Sequence, residues 1–383
     1  MSTLKPFLKW PGGKQRELAN VLPIVPNDIN QYFEPFVGGG AVYFAVRANQ
    51  YFINDKSTDL IDLYQIIGTE KNIEFIRLLT EINNGWVMVS GIAHSNRPTL
   101  REFFLEIRSK NGIVNKDLVA SWILEKFGEF CECIPVTLRH DLVYFQKELL
   151  VNMMRKLQRM FAIEQKKRMM SLEDIDDNIE TALKSSFYMY FRNLLNGWLK
   201  YALNEIEKSA VYYFIRNYAY SSMFRYNTRG DFNVPYGGIG YNGNNLTAKI
   251  DYLNSVELSN HLKKTEVSNL DFEEFFLGKS IGANDFIFLD PPYDSDFSTY
   301  DKNVFSQNDQ IRLADFLIKS VKCKWMMVIK NTEFIYSLYQ NKGLYFDDFA
   351  KNYAVSFMNR NNKLVSHLVI TNYQTKANFA RQA

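Results

Sequence analysis

The chain has 383 residues, enough for two domains or for one large domain carrying a long insertion. Its 45 Lys and Arg nearly cancel 42 Asp and Glu, for a net charge of +3, which excludes a globally basic nucleic-acid coat and makes any basic surface local. Hydrophobic residues at 46% suit a globular protein, and no apolar run approaches the ~20 residues of a membrane span. Three cysteines cannot form a fully paired framework and the first residues carry no apolar leader, so a cytoplasmic, reduced protein is expected.

In chain order, Gln31 to Phe36 reads as a short strand, Val37 to Gly40 as a tight turn and Ala41 to Ala48 as the start of a helix. This is the opening of a nucleotide-binding α/β unit. Tyr51 to Ile53 makes a second strand that stops at Asn54-Asp55, and helical periodicity follows through Leu60, Leu63, Tyr64 and Ile67. From about Trp86 to Ile206 the segments are long, charged and amphipathic, which predicts a mainly helical insertion. Within it, six basic residues between Val151 and Met170 (Arg155, Lys156, Arg159, Lys166, Lys167 and Arg168) face only Glu164, and five acids answer between Ser171 and Thr181. Such blocks are read as solvated helix faces.

Ser209 to Gly230 holds Arg216, Arg225 and Arg229, no acid, and seven aromatics in twenty-two positions. Cations suit phosphates and ring faces suit unpaired bases; a buried aromatic hairpin with exposed arginines is the competing reading. After a Gly- and Asn-rich loop from Asp231 to Gly243, Asp285 to Leu289 reads as a central strand, apolar on both faces. Gln310 to Ser320 reads as a helix, Lys324 to Ile329 as a buried strand, and Lys351 to Phe357 with Val365 to Thr371 as a terminal hairpin.

The strongest chemical signal is Asp290-Pro291-Pro292-Tyr293 at the end of that central strand, where open α/β sheets place ligands. An exocyclic amine such as adenine N6 is a poor nucleophile because its lone pair is delocalised into the ring. A carboxylate and a fixed carbonyl, here Asp290 and Pro291, can each accept one N6 hydrogen and direct the lone pair outward. Consecutive prolines stiffen the loop, and Tyr293 can stack on the base. The second signal is Glu34 to Gly40 with Asp55 fifteen residues past the last glycine, a glycine turn and a strand-ending acid suited to ribose hydroxyls. There is no Gly-Lys-Ser/Thr phosphate cradle, and the spacing departs from Gly-x-Gly-x-x-Gly, which argues against an NTPase or a dehydrogenase. Cys131-Glu132-Cys133 lacks zinc-ligand spacing, the four histidines are scattered, and no thiol lies in a strand-end loop, so neither a metal site nor cytosine-C5 chemistry is expected.

Phe7 to Lys14, Glu34 to Gly40, Phe224 to Asn227, Asn233 to Gly237 and Asp290 to Tyr293 occur in one order. In that order they resemble the alpha group of DNA adenine-N6 methyltransferases, the bacterial DNA adenine methylase family, over roughly residues 5 to 70 and 210 to 372. The resemblance implies an α/β fold: an S-adenosylmethionine-dependent methyltransferase, Rossmann-like, with a mostly parallel sheet in residues 1–70 and 266–383 and an inserted, mainly helical target-recognition domain in 71–265. It implies that Trp10, Lys14, Phe36, Gly38, Gly39, Gly40, Asp55, Asp271 and Phe272 serve S-adenosylmethionine. Asp290, Pro291, Pro292 and Tyr293 would form the catalytic loop, and Tyr220, Arg225 and Asn227 would touch double-stranded DNA. Phe297, Tyr300 and Phe305 resemble the family's aromatic spacing after that loop. The expected activity is site-specific adenine-N6 methylation within a restriction-modification or orphan system, by a monomer associated with the nucleoid through DNA. The rivals are methylation of an RNA base or of cytosine N4, and a catalytically silent DNA-binding subunit. Three departures stand out: Ser221-Ser222 replaces the Asn-Gly of the best-known members, far more helical chain is inserted before that segment than in the compact members, and Ser366-His367 stands where an acid is common.

Overall fold

Every residue of Phe286–Leu289 is buried, as a strand covered on both faces requires. In the computed structural model, which describes residues 4–167, 169–293, 305–352 and 364–375, that strand is central to a seven-stranded sheet. Up to Thr69 the elements are α1 (Leu18–Val21), β1 (Gln31–Glu34), β2 (Gln50–Asn54) and α2 (Thr58–Gly68). A helical stretch follows: α3 (Asn72–Ser95), α4 (Arg97–Ser109), α5 (Lys116–Glu132), α6 (Leu142–Glu164), α7 (Leu172–Asn196), α8 (Glu205–Tyr218) and α9 (Thr247–Leu253). The α/β pattern returns with α10 (Val256–Leu262), β3 (Thr265–Ser268), α11 (Phe272–Phe276), β4 (Phe286–Leu289) and α12 (Gln307–Lys319). It ends with β5 (Lys324–Lys330), α13 (Glu333–Tyr339), β6 (Tyr345–Asn352) and β7 (Leu364–Thr371). The chain divides into two compact units, Met1–Thr69 with Val256–Ala383, and Glu70–Ser255.

The sheet order is β3-β2-β1-β4-β5-β7-β6. β3, β2, β1, β4 and β5 pair in parallel, and β7 runs against both its neighbours, so β7 alone is reversed. Strand succession runs outward from β1 through β2 on one side and from β4 through β5 on the other. The reversal between β1 and β4 makes their carboxyl ends the place where such sheets bind ligands. One face of the sheet is held by Phe33, stacked on Phe52 at 4.7 Å, with Phe275, Phe276, Ile287, Leu289 and Met327.

Three expectations differ from the structure. Ala41 to Ala48 forms a run of turns, with only two bonds of helical spacing, Phe44 N–H to Gly40 and Val46 N–H to Val42. The Tyr51 hydroxyl donates to the Val46 carbonyl and accepts from the Ala48 N–H, so the groups that would extend a helix bond to a side chain instead. β3 was not expected: Thr-Glu-Val-Ser is polar and only partly buried, as suits an edge strand. β6 begins at Tyr345 rather than Lys351, because Asp347 and Asp348 mask a strand whose outer side is an unpaired edge. The expected hairpin turn falls at 359–363, outside the described residues.

In the helical unit most of the large aromatic residues are core, with Trp198 and Tyr220 among those left exposed. Trp86 is fully buried, packs against Phe187, Phe214, Tyr218 and Tyr236, and donates its indole N–H to the Asn244 carbonyl at 2.9 Å. The acidic block at the start of α7 is paired rather than merely solvated. Asp176 takes a two-pronged bond from Arg101 at 2.7 and 2.6 Å and a contact from Arg97 at 3.2 Å, while Glu180 accepts from Ser90 at 2.8 Å and lies 3.2 Å from Lys184. Among the described residues, no helix is long and apolar enough to cross a membrane.

Candidate active site

β4 ends at Leu289, so Asp290 to Tyr293 emerge at the carboxyl edge of the sheet beside the end of β1. Lys14 reaches this loop from the N-terminal segment. It is 2% exposed, forms an ion pair with the Asp290 carboxylate, and donates to the Tyr293 hydroxyl and the Gly12 carbonyl, each at 3.3 Å. Its ammonium also lies 5.6 Å from the Tyr293 ring centre. A residue expected beside the cofactor is thus tied to the two side chains expected to do chemistry. Tyr293 also makes a T-shaped contact with His367 of β7, with ring centres 5.6 Å apart. This gives a place to the histidine that stands where an acid was expected.

At the end of β1 the chain turns through Gly38 at φ +49° and Gly40 at φ +74°, a region that disfavours side chains. The three glycines are approached most closely by the chain itself. A methyl group on Gly38 would lie 2.8 Å from the Trp10 indole, one on Gly39 3.2 Å from the Trp10 Cβ, and one on Gly40 2.5 Å from the Tyr64 hydroxyl. Asp55, just past β2, accepts from the Gly38 N–H and the Ser57 N–H, both at 2.9 Å, and so fixes the turn. Phe36, Phe272 and Phe305 bring three rings from three segments within 5.4 to 5.9 Å of one another. Asp271 caps α11 and accepts from Arg312 at 2.8 Å. Phe297 and Tyr300 lie outside the described residues.

Several members of this site were not singled out by sequence. Glu34 is 2% exposed, accepts from the Tyr32 hydroxyl at 2.6 Å, and is held well above the usual carboxylate range chiefly by burial, with the nearby Asp290 charge adding to the effect. Burial and a neighbouring carboxylate both favour its neutral form. Asn54, at the end of β2, clamps the approach to Asp271: it accepts from the Leu270 N–H at 2.8 Å and donates to the Leu270 carbonyl at 3.1 Å. Arg312 of α12 binds Asp271, Glu273 and Asp309 and lies over the Phe272 ring at 4.9 Å. Gln310 donates to the Pro292 carbonyl at 2.8 Å. The available signal for Glu34 and Asn54 was a polar residue closing an apolar strand; α12 carried none.

The Arg-rich aromatic segment divides on inspection. Tyr212, Tyr213, Phe214, Tyr218 and Phe224 are buried, and Arg216, 2% exposed, donates to the Met223 carbonyl at 2.7 Å with its guanidinium 4.5 Å over Phe224. These build the helical unit, since α8 is buried on all sides from Ser209 to Arg216. Tyr220, Arg225 and Arg229 remain exposed. Arg225 is steered by Asn233, which accepts its Nε–H at 2.8 Å. Asn227 closes a turn, accepting from the Arg229 and Asp231 N–H groups at 2.9 Å and donating to Asp231. Ser221 and Ser222 both adopt left-handed backbone, φ +53° and +52°, a conformation that Asn and Gly enter more readily.

The thiols are poor nucleophiles. Burial pushes Cys133 and Cys323 up to about 12, and no group of three or more His, Cys, Asp or Glu able to hold a metal occurs among the described residues.

Comparison with known proteins identifies the family. The family model for D12 class N6 adenine-specific DNA methyltransferases matches residues 10–133 and 140–357. The chain is 25% identical over 378 residues to the Type II methyltransferase M.CviBI of Paramecium bursaria Chlorella virus NC1A, covering 97% of this chain and 100% of the relative. It is 25% identical over 354 residues to the Type II methyltransferase M.MjaIII of Methanocaldococcus jannaschii, covering 88% of each. A DNA adenine methylase of Haemophilus influenzae is 22% identical over 326 residues, covering 83% of this chain and 75% of the relative.

Proposed function

Because this chain belongs to the D12 class N6 adenine-specific DNA methyltransferases, we propose that it methylates adenine in double-stranded DNA with S-adenosylmethionine as donor and the Asp290–Tyr293 loop as catalyst. The observation that carries the reading is the buried Lys14 paired with Asp290 beside Tyr293 at the end of β4. A family defined on adenine N6 of DNA does not favour RNA or cytosine-N4 methylation, nor a silent subunit.

The donor set fits the cofactor. A strand-ending carboxylate, Asp55, suits ribose hydroxyls; Phe36, Phe272 and Phe305 offer ring faces and edges to an adenine; Asp271 suits an amine. Trp10 packs Gly38 and Gly39 and so supports the pocket wall. When bound, the cofactor supplies an electrophilic methyl group. Asp290 and the Pro291 carbonyl accept the two N6 hydrogens of the target adenine, Tyr293 holds its plane, and Lys14 holds Asp290 in place. The paired base must be swung out of the duplex, at a cost of a few kcal/mol. The test is incubation with genomic DNA and labelled S-adenosylmethionine, with mapping of modified bases. N6-methyladenine at a recurring DNA sequence is expected; label confined to cytosine or RNA overturns the reading.

Asp55→Ala is expected to weaken cofactor binding by roughly ten- to a hundredfold, the loss of charge-assisted hydrogen bonds worth about 1.5 to 3 kcal/mol each. Asp55→Asn, which keeps one acceptor for the Gly38 N–H, should lose less. Titration calorimetry reads both, and unchanged affinity in Asp55→Ala places the residue outside the pocket.

Sequence choice is assigned to the unit Glu70–Ser255, with Tyr220, Arg225 and Asn227 on its DNA-facing segment and Arg225 as base reader. Arg suits guanine O6 and N7, a contact that discriminates by about 1 to 3 kcal/mol. Arg225→Ala should therefore relax preference at one position of the methylated site. A profile of methylated sites with unchanged preference and uniformly weaker activity would reduce Arg225 to a phosphate grip.

A further inference from the structure

Prolines have no N–H, so the backbone of Pro291 and Pro292 can be held only through its carbonyls. The Pro291 carbonyl is needed for the target amine, which leaves the Pro292 carbonyl as the handle. Gln310 takes it. Its side chain is fully buried, its Nε2 donates to the Pro292 oxygen at 2.8 Å, and its Oε1 is buried with no hydrogen-bond partner among the described residues. A buried amide with half its bonding capacity unused is a poor filler, because an apolar side chain of the same size would leave no polar atom stranded. The bond that it does make gives the buried amide a role.

The helix carrying Gln310 is anchored independently. Ser306 and Asp309 form a capping box at the start of α12, and the Gln310 N–H donates to the Ser306 carbonyl at 3.1 Å. Two residues on, Arg312 binds Asp271 and Glu273. The first turns of α12 therefore hold the catalytic loop with one side chain and the capped start of α11 with another.

We propose that Gln310 is a positioning residue for methyl transfer: by pinning the Pro292 carbonyl it fixes the Pro292–Tyr293 peptide and with it the direction of the Tyr293 ring, while the ring-locked φ of Pro292 ties the Pro291 carbonyl to the same anchor. This rests on the reading of Asp290 to Tyr293 as the catalytic loop. Loss of the bond frees the rotation about the Pro292 Cα–C bond, and a displacement on the order of 1 Å at a reacting centre can cost about a hundredfold in rate.

The experiment compares Gln310→Met, which keeps size and removes the donor, with Gln310→Glu, whose carboxyl can donate to Pro292 only when protonated. Single-turnover methyl transfer, cofactor affinity by calorimetry and thermal unfolding are measured for each. Gln310→Met should lose about a hundredfold in rate, keep its cofactor affinity within about twofold and unfold no earlier than the wild type. The rate ratio of Gln310→Glu to Gln310→Met should rise as the pH falls, because protonation restores the donor. A wild-type rate in Gln310→Met, a joint loss of folding and cofactor binding, or parallel pH profiles of the two variants would each overturn the proposal. The underlying reading fails separately: it is lost if Asp290→Ala stays active, whatever Gln310 does.

Discussion

Asp290→Ala is expected to lower methyl transfer by about a thousandfold while leaving cofactor affinity within a few-fold. The carboxylate faces the target amine, so its removal takes away stabilisation that exists mainly in the transition state. The substitution also strands the Lys14 ammonium, which is 2% exposed and paired with Asp290. Breaking one partner of a buried pair destabilises the fold as well, so the variant should be compared with Asp290→Asn. The amide keeps one oxygen acceptor and one neutral partner for Lys14, and its residual rate should lie between those of wild type and Asp290→Ala. Rapid-quench measurement at saturating DNA and cofactor reads the step directly. Near-full turnover in Asp290→Ala would remove this residue from the chemistry.

Lys14→Met is expected to slow methyl transfer by roughly ten- to a hundredfold, the equivalent of losing charge-assisted hydrogen bonds worth about 1.5 to 3 kcal/mol. Its second effect is on pH dependence. A neighbouring ammonium favours the ionised form of a carboxyl group, and Lys14 acts in that direction on the buried Glu34. Without Lys14 the Glu34 carboxyl is raised further, and the limb of the rate profile that follows its titration should move to higher pH. Lys14→Arg should not rescue, because a bulkier planar fork does not fit a site that leaves the ammonium 2% exposed. Identical pH profiles for wild type and Lys14→Met would show that the pair is merely structural.

Local pattern carried a large part of this protein. β1, β2, β4 and β5 follow from short apolar runs that end in polar residues, and α2 follows from the spacing of Leu60, Leu63, Tyr64 and Ile67. Asp290-Pro291-Pro292-Tyr293 was legible because its chemistry is contained in four adjacent residues. The aromatic segment misled for the opposite reason. Arg216 and Arg225 look alike in sequence, yet one lies inside α8, bonded to a carbonyl, and the other is exposed beside Asn233. α8 is buried all round from Ser209 to Arg216 and the chain surfaces only after it ends, and seven closely spaced rings do not reveal where that change falls.

By itself, then, the sequence determined the strands that end at the site, the chemistry of the loop after β4, and the helical character of the long middle stretch, all of which depend on neighbours within a turn or two. Tertiary structure decided which side chains act together. The order of the sheet sets β4 against β1, and only then can Lys14 meet Asp290 across 276 residues of chain. The seating of α12 brings Gln310 to Pro292 and Arg312 to Asp271. Such bonds have no local period or spacing to betray them, because they are made by packing elements whose positions depend on the whole sheet.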